Sequence, residues 1–115
     1  FAFVEVGAKG VVFADINEDD VLVVVKKSRK FAEHVSFKAI TVKVDIIDKV
    51  SVNNMVQTAI KEFGRIDYNV NSAGINNLFD AMTPNIKADM FFRILDINVR
   101  GIMLSVRVVS KTMTA

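Results

Sequence analysis

Residues 48–74 read DKVSVNNMVQTAIKEFGRIDYNVNSAG, and the fold turns on this stretch. Val52, Met55, Val56, Ala59, Ile60 and Phe63 recur at intervals of three and four, the apolar stripe of an amphipathic helix. Asp48 or Ser51 stands where an N-cap belongs, and Gly64 stands where a left-handed C-terminal cap belongs. Ile66, Tyr68 and Val70 then alternate with polar neighbours, which predicts a strand over 66–71 running into Asn71-Ser72-Ala73-Gly74. Helix, tight turn, strand and small-residue loop in succession point to a parallel α/β sheet.

The same alternation of strand and helix continues upstream. Ile40, Val42 and Val44 alternate with Thr41 and Lys43, a pattern that suits an edge strand. Val11-Val12-Phe13-Ala14 is a continuous apolar run ending at Asp15, as expected of a strand covered on both faces. Between these strands Asn17 is placed to cap a helix with Glu18, Asp19 and Asp20 in its first turn. Val21, Val24, Val25, Phe31, Ala32 and Val35 share one face of that helix, although the run Leu22 to Val25 is rich in β-branched residues, which disfavours helix. Downstream, past Pro84, a long helix is predicted over 86–113. Its apolar positions nearly encircle the axis, leaving only Arg93, Arg100 and Arg107 as a solvated stripe. Asp89 with Arg93 and Asp96 with Arg100 are i,i+4 pairs in the favourable order. A helix apolar nearly all round needs two partners, read here as the sheet and a second subunit. The fold class is therefore α/β, with three strands and three main helices in one domain spanning 1–115.

Composition narrows the functional classes. The chain has 115 residues, 51% hydrophobic and 24% charged, with a net charge of +2. Such a chain is not disordered, and its small basic excess argues for no nucleic-acid partner. The run Lys26-Lys27-Ser28-Arg29-Lys30 reads as a solvated helix face. No stretch approaches ~18 consecutive apolar residues, so no membrane partner is expected. Glu5 interrupts the first apolar run, and no signal peptide is expected; the location read from these features is cytoplasmic. There is no cysteine and only one histidine, so no metal site is expected. His34 reads as a surface residue complementing the helix dipole.

Four short motifs in order carry a resemblance: Val44-Asp45-Ile46, Phe63-Gly64-Arg65-Ile66-Asp67, Asn71-Ser72-Ala73-Gly74 and Leu95-Asp96-Ile97-Asn98-Val99-Arg100-Gly101. Together they make the chain resemble the short-chain dehydrogenase/reductase family along essentially its whole length. The resemblance implies an incomplete Rossmann-like, doubly wound parallel sheet, a partial dinucleotide-binding domain, and a parent that transfers hydride between a nicotinamide cofactor and a small alcohol or carbonyl substrate. Asp15, followed by Ile16, sits where an acid accepts hydrogen bonds from the adenosine ribose and repels a 2′-phosphate. With Glu18, Asp19 and Asp20 close by and no basic residue beside it, NAD is expected over NADP. Asp45 and Ile46 resemble the family's adenine contact; an Asp that merely ends a strand and begins a turn reads equally well. Asn71, Ala73 and Gly74 form the loop where a nucleoside approaches the backbone, Ala73 and Gly74 lacking bulk. Asn98 matches the helical Asn of the family's catalytic set, which holds a proton-relaying water; an inward amide on an apolar stripe needs a partner in any case. Ser72 and Asn69 depart from the family pattern, which has a second Asn and an apolar residue there.

Other parts of the family pattern fall outside the chain. A Gly-rich phosphate loop belongs about 20 residues before the ribose-binding acid, which places it upstream of Phe1. The Tyr-x-x-x-Lys pair and the serine lie beyond Ala115, and the only tyrosine, Tyr68, is followed four residues later by Ser72. In the family Phe1 to Val6 is the tail of a helix. The 115 residues are thus expected to be a fragment of an NAD(P)-dependent oxidoreductase, itself inactive. The alternatives are a non-catalytic variant that self-associates through helix 86–113 and, against the ordered motifs, an unrelated α/β binding module.

Overall fold

A computed structural model describes residues 1–76 and 83–114. Residues 77–82, in the stretch that leads to Pro84, lie outside the described residues. The chain opens with a single helical turn, α1 (Ala2–Glu5), then β1 (Gly10–Asp15), α2 (Glu18–Ser28) with a 3-10 turn over Arg29–Phe31, β2 (Lys38–Lys43) and α3 (Lys49–Phe63). A 3-10 turn at Thr83–Asn85 precedes α4 (Ala88–Leu95), a π-helical segment (Asp96–Gly101) and α5 (Ile102–Met113). Strands β1 and β2 pair in parallel, from Gly10 opposite Lys38 to Asp15 opposite Lys43. Backbone bonds from Lys38 N to Lys9 O and from Val44 N to Asp15 O, each 2.9 Å, extend the ladder at both ends.

The helices cover the sheet for the reasons their sequences suggest. In α2, Val21 and Val25 are buried, and the hydroxyl of Ser28, also buried, donates to Val25 O at 2.8 Å. Tertiary burial thus outweighs the weak propensity of the valine run, each fully buried valine contributing ~1.5–3 kcal/mol. Helix α3 buries Val52, Val56 and Ala59. Asp48 caps it, its carboxylate accepting from Val50 N at 3.0 Å and Ser51 N at 3.3 Å. Gly64 closes it at φ +78°, where a side chain would be strained. Gly10 has a different duty: a Cβ there would run into the Phe63 ring, so its bareness lets α3 sit on the start of β1. Lys38 on β2 reaches Glu62 on α3 and holds its carboxyl below the usual value of 4.5, first by hydrogen bonding and then by charge. Both groups reach solvent, so the pair adds little stability.

Five expectations need correction. Only two strands are present among the described residues, not three. Residues 66–71 form no regular element and enter no backbone–backbone hydrogen bond there, and Tyr68 and Val70 are 75% and 68% exposed. A strand exists only in a ladder, and no described strand pairs with this segment. Its Asn69 is accordingly exposed, not buried at a cost. Strand β1 is likewise half-buried, paired along one edge, and its Ala14 and Asp15 are exposed. Helix α2 ends at Ser28, so Val35 is fully exposed and His34 lies beyond the helix, its Nδ1 accepting from Ser36 N at 3.0 Å. The long helix starts at Ala88 and passes through the π segment, and Asp96–Arg100 closes at 2.9 Å while Asp89–Arg93 does not. Finally, Asn17 precedes α2 without a side-chain cap bond; its amide donates to Asp20 Oδ2 at 2.6 Å.

The molecule is elongated. Its radius of gyration is 16.2 Å, against ~13 Å for a compact domain of this length. Helix α5 packs on α3 and buries Ser105 and Val109, whereas α4 buries none of its residues. Replacing Asp48 with Ala removes the α3 cap, the one helix with a side-chain cap bond at its start among the described residues. The expected loss is about 1 kcal/mol, read as a lower urea midpoint with an unchanged slope.

Candidate functional site

The parallel register delivers the C-terminal ends of β1 and β2 to the same side, and each end carries a carboxylate. Asp15 closes β1, and its Oδ1 accepts from Asn17 N at 3.0 Å. Asp45 follows β2 by two residues, and its Oδ1 accepts from Ile47 N at 3.1 Å. The two turns are built alike: a carboxylate bonds the backbone two residues on, the local geometry that Asp favours. The bond fixes each carboxylate while its Oδ2 remains without a hydrogen bond among the described residues. Ser51, on the first turn of α3, braces the second turn by accepting from Asp45 N at 2.9 Å. Ile16 is exposed beside Asp15, and Ile46 is half-buried.

The π segment ties two loops to the long helix. Asn98 Oδ1 accepts from Ile75 N at 2.8 Å, and its Nδ2 donates to Ile75 O at 2.9 Å. The amide thus satisfies both backbone groups of one residue immediately after Asn71-Ser72-Ala73-Gly74. A Cβ on Gly74 would stand 3.3 Å from Asn98 Oδ1, so the glycine allows the close approach. One turn further on, Gly101 is buried, and a Cβ there would lie 2.8 Å from Ile46 Cγ2. Asn71 is half-buried, while Ala73 and Gly74 are exposed. The sequence-predicted residues therefore fall into two groups. Asp15 and Asp45 are joined by the strand register; Ile46, Gly74 and Asn98 are joined by the π segment.

Sequence reasoning missed three residues. Ser51 stood out only as a helix cap, and Gly101 only as part of a motif. Lys43 corrects the expectation that no basic residue stands beside Asp15, because the register makes Lys43 the direct cross-strand partner of Asp15. Its signal was present as the polar member of the β2 alternation, but the pairing that places it lies 28 residues away in the chain.

A parallel pair joined by a helical crossover, with carboxylates where both strands end, defines an α/β protein of the Rossmann-like class. A family model described as enoyl-(acyl carrier protein) reductase matches residues 2–115. The short-chain dehydrogenase anuF of Penicillium roqueforti is 35% identical over 112 residues, covering 97% of this chain and 41% of that protein. Galactitol 2-dehydrogenase of Agrobacterium fabrum is 34% identical over 115 residues, covering 99% of this chain and 41% of that protein. Among solved structures, that of gox2181 superposes with a TM-score of 0.84 at 27% identity, over 97% of this chain and 41% of the other. A short-chain type dehydrogenase/reductase from Mycobacterium ulcerans, 20% identical, shares the fold with a TM-score of 0.87, over 97% of this chain and 40% of the other. The chain belongs to the short-chain dehydrogenase/reductase family, and it spans about two-fifths of the length of these relatives. Family membership implies a nicotinamide cofactor. The chemistry of the donor set fits its adenosine end: two carboxylates, each turned by its own loop, offer unbonded oxygens at adjacent strand ends.

The Asn98 clasp makes a direct prediction. Asn98→Ala leaves the N–H and C=O of Ile75 without their partners, at a cost of ~1–3 kcal/mol wherever water does not replace them. Hydrogen exchange at the Ile75 amide should accelerate at least ten-fold while amides of α2 keep their protection.

Proposed function

We propose that this chain is the nucleoside-binding part of an NAD-dependent oxidoreductase acting on a secondary alcohol or the matching ketone. The observation that carries the proposal is the pair of anchored carboxylates at the ends of β1 and β2. Asp15 accepts the ribose hydroxyls, and its charge disfavours a 2′-phosphate. Asp45 accepts from the adenine amino group, and Ile46 lines the ring. Asn71, Ala73 and Gly74 let the cofactor pass close to the backbone. Asn98 holds this loop through Ile75 and, by the family resemblance, is the residue that would hold a proton-relaying water. The bound nicotinamide supplies the hydride acceptor or donor. The likeness to a galactitol 2-dehydrogenase supports an alcohol substrate. The proton donor is sought outside this chain: Tyr68 packs its ring 5.4 Å from that of Phe3 and has no lysine four residues on.

Adenosine tests the core of the reading. Titrated into the isotope-labelled 115-residue chain, it should shift amides of residues 15–17 and 45–47. Asp15→Ala should weaken that binding about ten-fold, the worth of a charge-assisted hydrogen bond. Shifts elsewhere, or none, would remove the site.

A second reading rests on a separate observation. Val99, Met103 and Val106 share one exposed apolar strip of the long helix, with Val99 60% and Met103 54% exposed. A strip of this kind marks an association surface. It supports self-association through helix 86–113, as a property of the oxidoreductase or of a non-catalytic variant. Val106→Asp should shift the chain toward monomer in sedimentation velocity. A wild-type chain that is monomeric at high concentration would count against it. Among the described residues, no helix is long and apolar enough to cross a membrane. A cytoplasmic location remains part of the proposal.

A further inference from the structure

Lys43 is the only basic residue in segments 13–20 and 41–47, which otherwise hold Asp15, Glu18, Asp19, Asp20 and Asp45. It is the register partner of Asp15. Partners in a parallel ladder lie ~4.8 Å apart, and their side chains leave the same face of the sheet. That face is set by the neighbours. Lys38, in register with Gly10, reaches α3 through Glu62, so every second residue of β2 from Lys38 faces α3. Ala39, Thr41 and Lys43 take the opposite face, which places Lys43 with Asp15 on the α2 side. Both are exposed, and no ion pair joins them among the described residues. Asp15 is instead held by the Asn17 backbone, which leaves the lysine ammonium unspent.

We propose that Lys43 is a specificity-determining residue that opposes Asp15 at the ribose 2′ position. Asp15 accepts hydrogen bonds from a 2′-hydroxyl and repels a 2′-phosphate. Lys43, alongside, donates to a 2′-phosphate and offsets part of that repulsion. The two charges together give a site that favours an unphosphorylated ribose by a modest margin and still admits the phosphorylated one. The inference rests on the nucleoside site proposed above and deepens it from the identity of the site to its discrimination.

The test compares adenosine with adenosine 2′-monophosphate on the 115-residue chain, by amide shifts of residues 15–17 and 43–47. Lys43→Met should weaken the 2′-monophosphate about two- to five-fold, as for an exposed charge pair, and leave adenosine unchanged. Lys43→Arg should keep the phosphate affinity within about two-fold. Raising the salt concentration should shrink the difference between the wild-type chain and the Met variant. If the two ligands bind with the same affinity ratio in wild type and Lys43→Met, the role of Lys43 is overturned while the site stands. If neither shifts these amides, the site itself is overturned, and Lys43 with it. Equal weakening of both ligands by Lys43→Met would assign the residue to folding and would likewise overturn the proposal.

Discussion

The parallel pairing of β1 with β2 is the constraint on which the rest of the molecule depends. Six residue pairs run from Gly10 opposite Lys38 to Asp15 opposite Lys43, and they form the one ladder among the described residues. Parallel strands require a crossover, and α2 with its 3-10 turn supplies it, buried through Val21, Val25 and Ser28. The register then decides which residues meet. Slipping it by one would separate Asp15 from Lys43 and exchange the faces of β2 that meet α2 and α3. Because both strands end on the same side, two aspartates far apart in sequence become neighbours, each already turned by the backbone it bonds.

A second tie brings the long helix to the same region. Asn98 grips Ile75 by both backbone groups, and Gly101 admits Ile46. Neither contact would form on a regular, side-chain-covered helix surface. The wide π turn presents the amide, and two glycines, Gly74 and Gly101, remove the bulk that would hold the loops away. Binding loops are commonly held on rigid scaffolds in this way.

Much of this was legible in the sequence because the signals were local. Asp48, the stripe from Val52 to Phe63 and Gly64 specify α3 within seventeen residues, and the structure follows them. Asp15 and Asp45 were visible as acids ending apolar runs. The failures share a different cause. Whether 66–71 is a strand depends on a partner strand, which the alternation of Ile66, Tyr68 and Val70 cannot report. Val35 continued a helical period after the 3-10 turn at Arg29–Phe31 had already ended it. Lys43 became interesting only through register, a property of two segments and legible in neither. Asn98 was read as an inward amide on an apolar stripe; it is exposed, as are Phe91 and Leu95 of that stripe, and its partner, the Ile75 backbone, carries no side-chain signal.

The π segment also sets a phase between the two halves of the long helix. Each residue of an α-helix advances ~100° around its axis, and a π turn accommodates about one residue more than an α turn. Residues 88–95 are therefore rotated, relative to an uninterrupted α-helix, with respect to 102–113. Loss of a single residue from 96–101 would let the backbone relax into ordinary α geometry with every hydrogen bond satisfied. It would also swing the N-terminal half by roughly a quarter turn, carrying Asn98 off Ile75. The extra residue acts as an angular spacer: it lets one rod address the 71–75 loop, α3 and an open apolar line, each from a different azimuth.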